Sequence, residues 1–360
     1  MNKEILIKNI LNEIQKSQVE KFNVMEVCGT HTQALSKLGI RQLVNPNINL
    51  LSGPGCPVCV TPEGYIDAAI ELLKNSNVIL STFGDMMRVN GSRENLIKQR
   101  EKGKDIKVLY SPLDSIALAE ENKDKEIVFL GVGFETTTPI IALAVKIAQE
   151  KNIRNVSFLI GMKRMEPILH YILKQPNHNI NGLMCPGHVA AVKGADYFKF
   201  IVEEYNIPAV IAGFEALDIA SALYFLTKQQ NKTKKGFENL YKTCVSQEGN
   251  KIANELMSEV FTYCEHEWRG IGVIKDSGFT LREKYKKYDA SERFGINLSK
   301  TSEKNYIRTC ACSEILLGKK LPNKCELFGK GCTPEHPIGP CMVSTEGSCS
   351  IFISIGEWNK

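Results

Sequence analysis

The chain has 360 residues, of which 43% are hydrophobic and 24% charged, and its formal net charge is +5. This length exceeds what one small core holds, so two or three domains are expected. A weak positive charge spread over such a length argues against a nucleic-acid-binding protein. The chain lacks an apolar run of about 18 residues and a signal-peptide core, so we expect a cytoplasmic protein that does not enter a membrane and whose thiols stay reduced.

Short apolar segments that end in glycine and small polar residues alternate with amphipathic helix patterns through residues 1–230. The predicted strands are 22–27, 48–51, 78–80, 127–130, 157–160, 182–184 and 209–211. The predicted helices are 3–17, 63–74, 139–150 and 215–227. This alternation is typical of βαβ units, and it predicts an α/β fold with parallel sheets.

The length favours two α/β lobes over a single sheet. A charged stretch at 122–126 and a polar, basic stretch at 228–236 predict a first lobe of residues 1–122, a second of 123–235 and a third module of 236–360. Residues 237–265 read as a helical region, in which Cys244 and Cys264 are interpreted as core or surface thiols. After residue 270 the chain becomes irregular and rich in cysteine, which predicts a small C-terminal module.

Chemically active side chains follow the predicted strands, where parallel sheets bind their ligands. They are Cys28, Cys56, Asp85, Glu135, Cys185, His188 and Glu215. Cys28 and His31 share one strand-end loop, and a thiolate beside an imidazole suits a transition metal or a thiol activated by proton transfer. A lone cysteine near a strand is also commonly a small buried hydrophobe, and that interpretation stays open.

Cys56 and Cys59 form a Cys-x-x-Cys motif in a loop rich in glycine and proline. Two thiols at this spacing close a short disulfide, and a helix that starts after Pro62 would lower a thiol pKa. The alternatives are half of a zinc site or a structural pair. A zinc site needs two further ligands, and the neighbouring sequence offers none.

Six of the twelve cysteines lie between Cys310 and Cys349, in sequence rich in glycine and proline. Such a segment usually needs a bound metal or covalent cross-links to hold one conformation. Four thiolates satisfy an iron–sulfur cluster, and zinc accepts the same number. The segment lacks Cys-x-x-Cys, which favours iron–sulfur over zinc, and a disulfide framework would need an oxidising compartment. Cys312 and Cys341 are then spare thiols, although Cys312 could replace Cys310.

These segments together resemble the HypD family, the scaffold proteins of nickel–iron hydrogenase maturation, over nearly the whole chain. The resemblance is carried by residues 25–32, 53–62, 81–88, 131–139, 184–189 and 321–349. It implies two α/β lobes and a C-terminal module with a 4Fe–4S cluster. The ligands that it implies for this cluster are Cys310, Cys325, Cys332 and Cys349.

The resemblance also implies a complex with the small chaperone HypC, on which an iron ion acquires two cyanides and one carbon monoxide. Cyanide would come from the partner HypE, and the iron unit would pass to the hydrogenase large subunit. Cys28 is then the first candidate for the iron thiolate, with His31 as a ligand or proton carrier.

Cys56 and Cys59 would either supply two electrons for cyanide transfer by closing to a disulfide or hold the iron directly. Two other functions stay open at this point. One is a free-standing thiol–disulfide oxidoreductase that uses the iron–sulfur cluster, and the other is a zinc-stabilised scaffold without catalytic activity.

Overall fold

The computed structural model describes residues 3–298 and 310–356. The chain divides into two compact units, and neither is a continuous segment. Unit 1 comprises Met1–Cys56, Ile168–Lys251 and Thr309–Lys360, and unit 2 comprises Pro57–Pro167 and Ile252–Arg308. The predicted boundary after residue 122 falls inside unit 2, and the one after 235 falls inside unit 1. The compact units therefore differ from the three consecutive segments predicted.

The strands match the predicted ones to within one or two residues and add four more. They are β1 (Phe22–Glu26), β2 (Ile48–Ser52), β3 (Val78–Thr82), β4 (Ile106–Val108), β5 (Glu126–Gly131), β6 (Val156–Ile160), β7 (Gly182–Pro186), β8 (Ala209–Ala212), β9 (Phe237–Asn239), β10 (Phe261–Trp268) and β11 (Gly272–Leu281).

The four predicted helices are also present, with ends displaced by at most two residues. The α-helices are α1 (Lys3–Gln15), α2 (Gly29–Lys37), α3 (Ile40–Leu43), α4 (Glu63–Leu72), α5 (Leu96–Glu101), α6 (Asp114–Glu121), α7 (Thr138–Glu150), α8 (Met165–Leu173), α9 (Gly187–Lys193), α10 (Phe200–Tyr205), α11 (Ala216–Gln229), α12 (Lys251–Val260), α13 (Ala290–Arg293), α14 (Cys312–Leu316), α15 (Pro340–Val343) and α16 (Ser348–Ser354). Short 3₁₀ helices cover Gly84–Arg88, Ala195–Phe198, Glu283–Tyr288 and Pro322–Lys324.

Unit 1 is built on a five-stranded parallel sheet of order β2-β1-β7-β8-β9. All residues of the central strands β1, β7 and β8 are buried, as expected for a parallel sheet covered by helices on both faces. Leu35 of α2 and Leu223 of α11 belong to the same apolar cluster as Val24 of β1. The carboxyl ends of β1, β7 and β8 therefore lie next to one another, in that order, along one edge of the sheet.

Unit 2 is built on a four-stranded parallel sheet of order β4-β3-β5-β6. Its core contains Phe129 of β5 and Phe158 of β6, against which Ile141 and Val145 of α7 pack. Two parallel α/β sheets and a cysteine-rich C-terminal region confirm the predicted fold class. In the ranges 3–298 and 310–356, no helix is both long and apolar enough to cross a membrane.

The helical interpretation of residues 237–265 is wrong for most of the segment. Only α12 is helical, and β10 follows it directly and pairs antiparallel with β11 in unit 2. The irregular structure predicted after residue 270 is likewise replaced by β11. Strand β10 contains strand-favouring aromatic residues and Thr262, but the stretch from Cys264 to Glu267 interrupts the apolar pattern, and pairing with β11 continues the strand through it.

Cys244 and Cys264 consequently do not lie in helices. Cys244 is exposed in a turn of unit 1, and Cys264 is half-buried on β10. The structural reason is that α12 is shorter than the predicted helical region, since Cys244 precedes its start and Cys264 follows its end.

Candidate functional site

Cys28 lies at the junction between β1 and α2 in unit 1. Its extended backbone makes it the N-cap of α2, although its side chain makes no capping hydrogen bond. The nearby N–H groups of Thr30 and His31 and the Thr30 hydroxyl lower the pKa of its thiol. Burial nevertheless dominates and raises the pKa of the Cys28 thiol, since its side chain is only 9% exposed. The thiol therefore keeps its proton until a cation replaces it, and the helix N-terminus then favours the thiolate.

A second loop of unit 1 lies directly on Cys28. A Cβ atom built on Gly55 would stand 2.6 Å from the Val27 carbonyl oxygen and 2.7 Å from the Cys28 Cα, so this backbone approach requires glycine. The Gly53 N–H also donates to the Glu26 carbonyl oxygen at 2.8 Å. Contact with the backbone of Val27 and Cys28 thereby explains Gly55, and the hydrogen bond of Gly53 to Glu26 holds the start of the same loop.

Cys56 and Cys59 are joined by a disulfide. Cys56 is 3% exposed and Cys59 is fully buried. The Thr61 hydroxyl donates to the Pro57 carbonyl oxygen at 2.9 Å, which closes the turn around the motif before α4 begins. The predicted ability of this pair to form a short disulfide is thus realised.

His31 is fully buried on the first turn of α2. Its Nε2 lies 3.0 Å from the Gly213 carbonyl oxygen and 3.2 Å from that of Ala212. Because both partners are acceptors, Nε2 carries the proton, and Nδ1 is left as a lone-pair acceptor without a hydrogen-bond partner among the described residues. Burial lowers the pKa of His31 to about 4. The ring is therefore neutral at pH 7 and offers one nitrogen to a proton or a metal.

Phe214 links His31 to a second histidine of unit 1. The Phe214 ring stacks on His31 with centroids 4.6 Å apart and on His188 with centroids 4.0 Å apart. His188 is exposed at the start of α9, whereas Cys185 is fully buried within β7. The Cys-Pro-Gly-His segment therefore contributes one surface imidazole and one core thiol.

Glu346 is a site residue that sequence reasoning missed. A Cβ atom on Gly29 would stand 2.4 Å from the Glu346 carbonyl oxygen, so the loop that carries Glu346 contacts the N-terminus of α2. The Glu346 carboxylate adds to the raised pKa of Cys28, which indicates that its negative charge lies near the sulfur. Its one signal in the sequence is its place within residues 321–349, since no local pattern links it to Cys28.

The six C-terminal cysteines line one cavity in unit 1. Its lining cysteines are Cys310, Cys312, Cys325, Cys332, Cys341 and Cys349. Apolar side chains complete the wall, among them Phe328 and Met342. The Ile338 N–H donates to the Cys332 sulfur at 3.3 Å, and a Cβ atom on Gly339 would stand 2.6 Å from the Cys310 sulfur. The Ile338 N–H and the absence of a side chain at Gly339 therefore accommodate the sulfurs of Cys332 and Cys310.

The neighbouring thiols in this cavity raise one another's pKa values. Burial and then the neighbouring Cys312 raise the pKa of Cys310 to about 12, and burial raises that of Cys349 well above its usual range. The side chain of Cys312 and burial do the same to Cys341. Such a donor set releases protons when a cation binds. In the part of the chain that the structure describes, no three His, Cys, Asp or Glu side chains group closely enough to hold a single ion.

Other strand-end residues have structural roles or lie in unit 2. Glu215 forms a capping box with Asp218 at the start of α11. In unit 2, Asp85 lies in a 3₁₀ helix after β3, and the Glu135 carboxylate is buried and accepts the Met165 N–H at 2.8 Å.

The low pKa of His31 predicts a specific loss of stability in acid. Below the ordinary histidine pKa of about 6.5 the unfolded chain binds a proton that the folded ring refuses, so the free energy of unfolding falls by about 3 kcal/mol between pH 6.5 and pH 4. Urea unfolding of His31→Gln should show a decrease smaller by that amount. His188→Gln, which alters an exposed ring, should keep most of it. Equal pH dependence in the wild type and His31→Gln would contradict the buried, neutral His31.

The fold and the site define an α/β protein with a buried cysteine–histidine pair, a Cys-x-x-Cys disulfide and a thiol-lined cavity. The profile of the HypD family, described as "Hydrogenase formation hypA family", matches residues 5–356. The chain belongs to the HypD family, which confirms the resemblance inferred from its motifs.

Individual relatives match over nearly the whole length. The hydrogenase maturation factor HypD2 of Bradyrhizobium diazoefficiens is 40% identical over 345 residues, which is 94% of this chain and 90% of the relative. A putative hydrogenase expression/formation protein of Methanocaldococcus jannaschii is 39% identical over 354 residues, or 98% of each chain. The hydrogenase maturation factor HypD of Escherichia coli is 39% identical over 332 residues, or 92% of this chain and 88% of the relative.

Proposed function

We propose that this protein is a hydrogenase maturation factor on which the Fe(CN)₂CO centre of nickel–iron hydrogenase is assembled. The iron is the cargo, held jointly with a HypC-type chaperone, and the cyanide comes from a HypE-type partner. Family membership supports the role in hydrogenase maturation. The observation that carries the finer proposal is the buried Cys28 thiol, with the Glu346 carboxylate nearby. On the same helical turn, His31 Nδ1 has no hydrogen-bond partner among the residues that the structure describes.

Cys28 is proposed as the protein's thiolate ligand to the iron. Cyanide and carbon monoxide favour low-spin iron(II), and a soft thiolate suits such an ion. The raised pKa of Cys28 means that iron binding releases its proton. His31, whose pKa burial lowers to about 4, would pass such a proton on to water and not hold it. His31 Nδ1 is alternatively a second ligand, because its other nitrogen is already committed to two carbonyl oxygens.

Cys56 and Cys59 are proposed to provide the electrons for cyanide delivery. In this proposal the HypE-type partner carries cyanide as a thiocyanate group, and cleaving that group into a thiol and cyanide consumes two electrons and one proton. A dithiol that closes to a disulfide supplies two electrons and two protons, so the step balances with one proton left over. In this proposal the disulfide between Cys56 and Cys59 corresponds to the oxidised state of the pair. Direct ligation of iron by the reduced pair is the alternative assignment.

Cys310, Cys325, Cys332 and Cys349 are proposed to hold a resident 4Fe–4S cluster. The donor set fits, because these thiols share one cavity with apolar walls and an N–H group already points at a sulfur. When bound, such a cluster supplies one electron at a time. Cys312 and Cys341 line the same cavity as additional thiols, and zinc is the competing occupant.

The test is anaerobic co-production of the full chain with a HypC-type chaperone, followed by infrared spectroscopy and iron, sulfide and zinc assays. Cyanide and carbonyl stretching bands on the complex would support the assembly scaffold. Zinc without such bands would leave a structural zinc protein and reject the proposal.

A thiol–disulfide oxidoreductase is the second candidate, because the Cys-x-x-Cys pair does form a disulfide. That function requires turnover of a general disulfide substrate without iron or a HypC-type chaperone. Such turnover by the purified chain, in the absence of cyanide and carbonyl bands on the complex, would favour it.

A further inference from the structure

The tip of the β10–β11 hairpin in unit 2 places one arginine beside the Cys-x-x-Cys segment. Trp268, the last residue of β10, is fully buried, donates through Nε1 to the Ser277 hydroxyl at 2.8 Å and stacks on Phe134. Arg269 follows it as the first residue of the turn, where the Ile271 N–H donates back to the Trp268 carbonyl oxygen at 3.0 Å. The backbone of Arg269 is therefore held by a buried anchor.

Arg269 makes three separate contacts within unit 2. Its backbone N–H donates to the Val60 carbonyl oxygen at 3.0 Å. One guanidinium nitrogen, Nη2, binds Glu63 Oε1 at 2.8 Å, and the other, Nη1, donates to the Asn90 carbonyl oxygen at 2.9 Å. The side chains of Arg269 and Glu63 are only 9% and 15% exposed, so this ion pair is largely desolvated.

Two of these contacts bracket the residues that follow Cys59. Val60 is the next residue, and Glu63 is the first residue of α4. One turn along the same helix, Asp67 Oδ1 accepts the Ser92 N–H at 2.9 Å, which ties the loop after Asn90 to α4 as well. The segment after Cys59 is consequently fixed to a hairpin, a helix and a loop of unit 2.

The pKa of the Glu63 carboxyl group depends on the neighbouring Arg269. Burial raises the pKa of Glu63, and Arg269 opposes that effect. Removing the guanidinium would leave a carboxyl group in a partly buried position without its counter-ion, which favours movement of the segment toward water.

We propose that Arg269 is a positioning residue for the Cys56/Cys59 pair, which clamps the segment from Val60 to Glu63 so that the disulfide is favoured over the dithiol. The inference rests on the proposed redox function of this pair. Two thiols form a disulfide more readily when their backbones are held at bonding distance, because the ring then closes with a smaller loss of chain entropy. Releasing the clamp lets the loop open and shifts the equilibrium toward two thiols.

The test is an equilibrium titration of the full-length chain in dithiothreitol redox buffers. Each disulfide that opens takes two electrons and two protons from one dithiothreitol, which closes to its cyclic disulfide. Alkylation and peptide mass spectrometry report the fraction of the peptide containing Cys56 and Cys59 that is reduced. In Arg269→Met the equilibrium constant should shift about tenfold toward the dithiol, as expected when one charge-assisted hydrogen bond operates in the oxidised state alone.

Arg293→Met is the matched control in unit 2. Arg293 also binds one carboxylate, Glu126 Oε2 at 3.0 Å, and one carbonyl oxygen, that of Lys287 at 2.7 Å. Its loss should lower the free energy of unfolding without moving the redox equilibrium. Arg269→Lys keeps the positive charge but cannot contact Glu63 and Asn90 through two separate nitrogens, so it should give an intermediate shift. This variant also tests the proposal if Arg269→Met does not fold.

Identical equilibrium constants in the wild type, both Arg269 variants and the control would overturn the role of Arg269 and leave the redox function of the pair standing. A wild-type pair that does not interconvert between disulfide and dithiol across the buffer range would instead overturn that redox function, and the inference with it.

Discussion

The Cys28→Ala variant is expected to lose the cyanide and carbonyl stretching bands of the complex with a HypC-type chaperone. Hydrogenase activity in a host that depends on this protein should fall more than about 100-fold, because the loss of even an outer-shell contact to a metal ligand costs about 10- to 100-fold. The Cys28 side chain is small and buried, so alanine should leave unit 1 folded. Infrared spectra of the purified complex and hydrogenase assays of the host measure both effects.

Cys185→Ala provides the matched control for Cys28. It removes another buried thiol from the same sheet of unit 1, since Cys185 lies on β7 beside β1. The control should keep the bands and most of the hydrogenase activity. Bands of normal intensity in Cys28→Ala would show that another residue holds the iron, and a variant of Cys56 or Cys59 would then be the next to examine.

The Cys332→Ala variant is expected to lose the iron and the sulfide that the unaltered chain carries after anaerobic purification, about four of each. Cys332 lines the thiol cavity, and its sulfur already accepts the Ile338 N–H. The C-terminal part of unit 1 should also become less stable, because a bound cofactor contributes its binding free energy to folding. Metal and sulfide assays, together with thermal unfolding, test these expectations.

Cys244→Ala is the control for the thiol cavity, since Cys244 is exposed in a turn of the same unit. It should retain iron, sulfide and thermal stability. Cys312→Ala and Cys341→Ala should also retain the cluster if these two thiols are spare. Zinc in place of iron and sulfide in the unaltered chain would contradict the cluster assignment.

Much of the secondary structure was predictable because its signals are local. Each predicted strand of residues 1–230 is a short apolar run closed by glycine or a small polar residue, and each predicted helix has its own apolar face. β10 failed this test, since its residues are half exposed and its partner β11 supplies the stabilising hydrogen bonds. The prediction extended the helical pattern of α12 through it.

The site was predictable in part for the same reason. Cys28 and His31 share one helical turn, and Cys56 and Cys59 share one loop. The short spacing within each pair therefore predicts that its two side chains lie close together. Glu346 approaches Cys28 through a close contact at Gly29, far apart in sequence. No periodicity encodes such a contact.

The sequence by itself determined the α/β class, the family, the positions of the thiol motifs and the lengths of most elements. Tertiary structure alone decided that β1, β2, β7, β8 and β9 share one sheet while β3 to β6 form another, and so which segments share a unit. It also decided which side chains face Cys28 and which arginine holds the segment after Cys59. The physical reason is that a parallel strand carries the same buried, apolar pattern whichever neighbour it pairs with. Strand order depends on how whole helices and sheets pack, which local residue patterns do not specify.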